Sequence, residues 1–82
     1  ANSDWNLYPN PSSGLFTLEL HDQVFIQEVS VYSIIGNLVN NQVLNEKRDR
    51  IEFNLLDQSE GIYFINVSTP DRNFTKKIIL NK

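Results

Sequence analysis

Arg50-Ile51-Glu52-Phe53-Asn54-Leu55 (RIEFNL) alternates polar and apolar residues without a break. Side chains on a strand point to opposite faces in turn, so Ile51, Phe53 and Leu55 share one face and Arg50, Glu52 and Asn54 the other. The stretch predicts a strand half buried on one side. The same period returns on both sides of it. Leu15–Leu20 puts Phe16, Leu18 and Leu20 together, and Glu28–Ser33 pairs Val29 with Val31. Ile62–Ser68 turns Tyr63, Ile65 and Val67 inward, leaving Asn66 and Ser68 opposite. Residues 37–44 read as an Asn-rich strand, suited to a sheet edge. Phe74–Leu80 ends in the apolar run Ile78-Ile79-Leu80. With a short strand near Trp5–Leu7 the count reaches seven.

Turn chemistry separates these segments. Pro9–Gly14 holds two prolines and a glycine. Ser33–Asn37 reads as a tight hairpin in which Gly36 takes a positive φ. Thr69–Asn73 reads as a second hairpin loop, with Pro70 pre-set for it. Residues 55–60 suit one helical turn before Gly61, and His21-Asp22-Gln23 a solvated loop. No stretch of ten residues has helical period. The expected fold is all-β: a small seven-stranded antiparallel β-sandwich, Ig-like, with two sheets. Residues 1–6 are the end of a linker and 7–82 the domain.

Composition narrows the function. At 82 residues the chain makes one domain with a thin core. It has no cysteine, which removes disulfides and thiolate metal sites. The net charge of −3 disfavours nucleic acid, whose phosphates want clustered Lys and Arg. Residues 71–82 nevertheless carry Arg72, Lys76, Lys77 and Lys82 against Asp71, while residues 1–70 hold nine acids against three bases. No apolar run spans a membrane, and no signal-peptide pattern opens the chain. An opening Ala1 suits a piece of a longer protein.

Catalytic chemistry finds little support. His21 stands beside Asp22, yet nothing in the spacing of the serines selects a nucleophile for them. Asp49/Glu52 and Asp57/Glu60 are paired carboxylates, but acid–base work on a glycoside needs a cleft between its two groups. No calcium-loop pattern is present. The expectation is a non-enzyme with no catalytic, cofactor-binding or metal-binding residue and no cofactor. Trp5, Tyr8, Tyr32 and Tyr63 raise one alternative: a carbohydrate-binding appendage of a secreted enzyme. Trp5 and Tyr8, outside the clear alternation, are its best surface residues.

Four stretches, in order, carry a resemblance. They are Tyr8-Pro9-Asn10-Pro11-Ser12-Ser13-Gly14 with Phe16; Val29–Val39, with Gly36; Leu55–Val67, containing Gly61-Ile62-Tyr63-Phe64; and Thr75-Lys76-Lys77-Ile78-Ile79-Leu80-Asn81-Lys82. Together they resemble the C-terminal sorting domain of the type IX secretion system, type A, of Bacteroidota. Leu56 departs from the Ser usual after the third block's Leu.

The resemblance implies a secretion signal that takes an N-terminal cargo from the periplasm across the outer membrane to the cell surface or beyond. The implied partners are the type IX translocon, its outer-membrane shuttle protein and a gingipain-like sortase. The sortase commonly removes the domain or exchanges it for a surface anchor. The recognition or fold residues it points to are Tyr8, Pro9, Asn10, Pro11, Gly14, Gly36, Gly61, Tyr63, Lys76, Lys77, Ile78 and Lys82. An exposed edge strand, the Asn-rich one or the last, would let two copies pair as a homodimer.

Overall fold

The alternating segments do become strands, and the computed structural model describes them over residues 5–82. The linker expected at the start falls mainly on residues 1–4, outside the described residues. The strands are β1 (Asn6–Tyr8), β2 (Leu15–Ser33), β3 (Leu38–Asn54), β4 (Gly61–Ser68) and β5 (Asn73–Leu80). No helix occurs among the described residues. All strand pairs are antiparallel: β1 with β2, β2 with β3, β2 with β4, and β4 with β5.

β2 carries the topology. Nineteen residues at about 3.3 Å each would reach roughly 60 Å if straight. The longest extent of the whole molecule is 32 Å. β2 must therefore bend back, and β3 bends with it. The bend lies where the register slips. Glu19 faces Arg50 and Val24 faces Arg48, so Leu20–Gln23 stand opposite Asp49 alone. A second slip follows between Ile26 and Glu28, where β3 holds the extra residue and Asn45 takes φ 49°. A third leaves Val39 unopposed. Bulges of this kind bend a strand and raise its twist. They also change which residues face inward. Phe16, Leu18 and Leu20 are buried before the bend, and Val29 and Val31 after it.

The expected count of seven strands is therefore corrected to five. Leu15–Leu20 and Glu28–Ser33 are two arms of β2, and the Asn-rich segment and Arg50–Asn54 two arms of β3. The polar run His21–Gln23 looked like a loop, but a bulge absorbs it within a paired strand, and Asn45–Asp49, left unassigned between two strands, is part of β3 as well. The pairing gives one curled five-stranded sheet and does not show the separate sheets of an Ig-like sandwich. The helical turn expected over 55–60 is a non-helical turn, in which Gln58 N donates to Leu55 O at 3.0 Å. Both expected hairpins are present: Gly36 N donates to Ser33 O (2.9 Å) and Thr69 N to Arg72 O (2.9 Å).

The curl encloses one core. Leu18, Ile26, Val29, Val31, Ile51, Ile65, Val67 and Ile78 lose all contact with solvent. Phe16 and Phe53, directly paired across β2 and β3, stack with ring centres 4.9 Å apart. Trp5 reverses its expectation. It is 8% exposed and packs on Phe74 at 4.3 Å, because the inner face of β5 beside Lys76 leaves room for a large ring.

Candidate recognition surface

Both ends of β2 lie near the same end of the molecule. Leu15 faces Asn54, where β3 ends, and Ser33 faces Tyr63, near the start of β4. Residues 55–60 connect those two points. Gly61 in turn faces Leu80, which places the end of β5 here too. All four motif stretches therefore send a loop or terminus to this one end.

The Tyr8–Gly14 stretch runs along the outer edge of β5. Ser12 N donates to Ile79 O (2.8 Å) and Asn81 N donates to Ser12 O (2.8 Å), a short parallel bridge to the last strand. Two residues earlier the Asn10 side chain imitates a strand. Its Nδ2 donates to Lys77 O (3.3 Å) and its Oδ1 accepts from Ile79 N (3.2 Å). Pro9 and Pro11 flank it, exposed, and their fixed φ angles limit the conformations open to the loop. Ser12 is buried and also shapes the turn: its Oγ donates to Leu15 O (2.8 Å) and accepts from Gly14 N (3.0 Å).

Gly14 is required by contact and by backbone. Its φ is +135°, and a Cβ there would sit 2.9 Å from the Leu56 Cα. Close approach lets Leu55 N donate to Gly14 O at 2.7 Å. The 55–60 loop is then fixed from three more directions. Leu56 N donates to Asn54 Oδ1 (3.1 Å) and the buried Tyr63 donates its hydroxyl to Ser59 O (2.7 Å). Lys82 completes the arrangement: its Nζ donates to Leu56 O (2.5 Å) and to Gln58 O, and its backbone N donates to Glu60 Oε1 (3.2 Å).

The three other lysine-strand residues divide by role. Lys76 is half buried and donates to Trp5 O (2.9 Å). Lys77 is exposed, and Ile78 is a core residue. Gly36, φ +91°, closes the Ser33–Asn37 turn, which a groove separates from Gln58–Tyr63. Gly61 is the exposed first residue of β4. Tyr8, 43% exposed, ends β1 beside Leu15, Phe16 and Glu52. Leu15, Ile34, Ile35, Leu56 and Ile79 remain exposed around this end, an apolar fringe of the kind that marks docking surfaces.

Sequence reasoning passed over Ser12, and took Asn10 as a motif residue without a partner. A serine two positions before a turn glycine is a signal for a local side-chain turn. Nothing local shows that the same residue bridges to β5.

Among the described residues the candidate reacting groups lie exposed. His21 and Asp22 are exposed on β2, with no serine bonded to His21 among the described residues. Asp49, Glu52, Asp57 and Glu60 are all exposed. Trp5, the leading residue of the sugar-stacking alternative, is in the core.

Comparison with known proteins agrees with the geometry. Residues 6–81 match the family described as the secretion system C-terminal sorting domain. A relative, ulvan lyase NLR42 of Nonlabens ulvanivorans, is 33% identical over 76 residues, 92% of this chain. The chain spans 14% of that relative's length, so the likeness covers a small part of it. The chain therefore belongs to the secretion system C-terminal sorting domains, the non-catalytic type IX signals by which Bacteroidota send attached proteins across the outer membrane.

Proposed function

We propose that the domain is read as a folded object by the outer-membrane shuttle protein and translocon of the type IX system. The surface they read is the end where the four motif stretches meet. The Tyr8–Gly14 turn and the Lys76–Lys82 segment brace it, and Gly36, Gly61 and Tyr63 hold the neighbouring loops. Lys77 is the residue there that contacts the reader directly. In this reading the cargo lies N-terminal to the domain and passes through the periplasm first. A gingipain-like sortase then cuts ahead of the domain, and the cargo is released or joined to a surface anchor.

One observation carries the proposal. Residues far apart in the chain are tied to one another at one end, and several apolar side chains are left bare around them. A domain serving only as a spacer has no need of such a fringe.

The test fuses residues 1–82 to a periplasmic reporter in a host that has the system. Wild-type domain brings the reporter to the surface. Lys77→Ser changes stability by no more than about 0.5 kcal/mol, as an exposed side chain should, but reduces surface reporter. Full export by Lys77→Ser removes that residue from the reading surface. Export by a scrambled domain overturns recognition of a fold. Polysaccharide titration with Trp5 fluorescence checks the carbohydrate alternative, and no change is expected because Trp5 is buried.

A further inference from the structure

The outward backbone groups of β5 belong to its odd residues, since Lys77 O, Ile79 N, Ile79 O and Asn81 N take the bonds from Asn10 and Ser12. The two-residue period of a strand then turns the N–H and C=O of Thr75, and the N–H of Lys77, the same way. Among the described residues none bonds to these groups, and β5 pairs only with β4 apart from the Ser12 bridge at Leu80. Among the described residues the edge is thus open from Asn73 to the N–H of Lys77. Between Lys77 and Ile79 it is covered by one exposed asparagine side chain through bonds of 3.2–3.3 Å. Among the described residues it is closed by backbone only at Ser12.

We propose that this edge is a strand-addition site, and that its occupant is an extended acidic segment of a partner protein. A strand laid along Asn73–Ile79 would take the Thr75 and Lys77 groups directly. It would displace Asn10 while Trp5 and Ser12 stay in place. Charge selects the occupant. Arg72, Lys76, Lys77 and Lys82 give residues 71–82 a net charge of +3, while the rest of the chain is at −6. Two β5 strands paired together would set these lysines against each other, which disfavours a second copy. Carboxylates on the added strand would face Lys77 and Arg72, both exposed. Strand addition of this kind takes affinity from main-chain bonds and selectivity from the side chains beside them. The inference concerns how a segment docks and stands apart from export itself, so reporter export and peptide binding fail independently.

The test uses the intact domain and two synthetic peptides, one alternating Glu with Val and one alternating Lys with Val. The Glu/Val peptide should bind, with amide signals of Thr75, Lys77 and Ile79 shifting and their hydrogen exchange slowing. Asn10→Ala, which removes the competing side chain, should tighten binding by about three- to tenfold, in line with the loss of one or two weak neutral bonds. Lys77→Glu should weaken it about tenfold without changing the fold, checked by its unperturbed core signals. Equal binding of the Lys/Val peptide overturns the charge argument. Absence of Glu/Val binding, or shifts confined to β3, overturns the site. Self-association of the Asn10→Ala variant in place of peptide binding would make a second copy the occupant and overturn the acidic one.

Discussion

The curled sheet has two long edges, at β3 and β5, and each is protected differently. Along Leu38–Asn45 the β3 edge protects itself. Bulges at Val39 and Asn45 leave only a short regular run between them. Asn40 and Gln42 lie opposite the buried Val31 and Val29, so polar side chains point inward there. Charged residues begin at Glu46. Bulges, short regular runs and inward polar groups are the means by which sheet edges resist joining one another. The β5 edge has no bulge and no short regular run, and Lys76 is its inward charge. It is regular over Asn73–Leu80, and its cover is borrowed from Asn10 and Ser12 near the other end of the sequence. An edge that protects itself is closed permanently, whereas one with a borrowed cover closes only while the cover is seated.

Substitutions can break or sharpen this contrast. The largest effect is expected at Trp5, which ties the covering segment to β5 through Phe74 and Lys76. Trp5→Ala should cost about 3–5 kcal/mol, as for other buried aromatics. At about 4–8 °C per kcal/mol for a domain this size, thermal melting should fall by more than 10 °C. Gly14→Ala comes next, at about 2–4 kcal/mol, from its left-handed backbone and the clash with Leu56. Hydrogen exchange should quicken at Leu55 in that variant, whose amide bonds to Gly14 O. Ser12→Ala leaves the buried Gly14 N–H without its partner and should cost about 1–3 kcal/mol, read by denaturant midpoint. On the β3 side, Asn45→Ala should cost about 1 kcal/mol while Asn45→Gly is close to neutral, because only the left-handed backbone is at issue. The smallest effect is at Asn10. Asn10→Ala should lower stability by about 1 kcal/mol or less, yet be the variant that quickens exchange of the Ile79 amide most selectively. A uniform response of both edges to Asn10→Ala would erase the distinction.

Much of the fold was legible, and the reasons are local. Alternation at Phe16–Leu20, Ile51–Leu55 and Tyr63–Val67 set the inward face of each arm correctly, because a two-residue period depends on neighbours alone. Gly36 and Pro70 marked real hairpins. Continuity was not legible. His21-Asp22-Gln23 has the composition of a loop, and only the facing Asp49 shows that it is a bulge within a strand. Trp5 was misjudged because one residue ahead of a short strand has no period to place it. The residue types of the proposed reading surface, Pro9, Pro11, Gly14 and the lysines, stood out in the sequence, but their arrangement did not. Lys76 and Lys77 look alike in sequence; one is a strut to Trp5 and the other is exposed. The pairing of Asn10 with β5 spans 67 and 69 positions, and no local pattern encodes it.

That long separation bears on how the domain is made. A ribosome releases Asn10 and Ser12 long before Ile79 and Asn81, so the seam between them cannot close until almost the whole domain has been synthesised. Contacts of such high sequence separation form late and slowly. A passenger whose translation stops before the last strand would emerge with the seam gaping. Closure of this seam therefore reports that the last strand of the domain has been made.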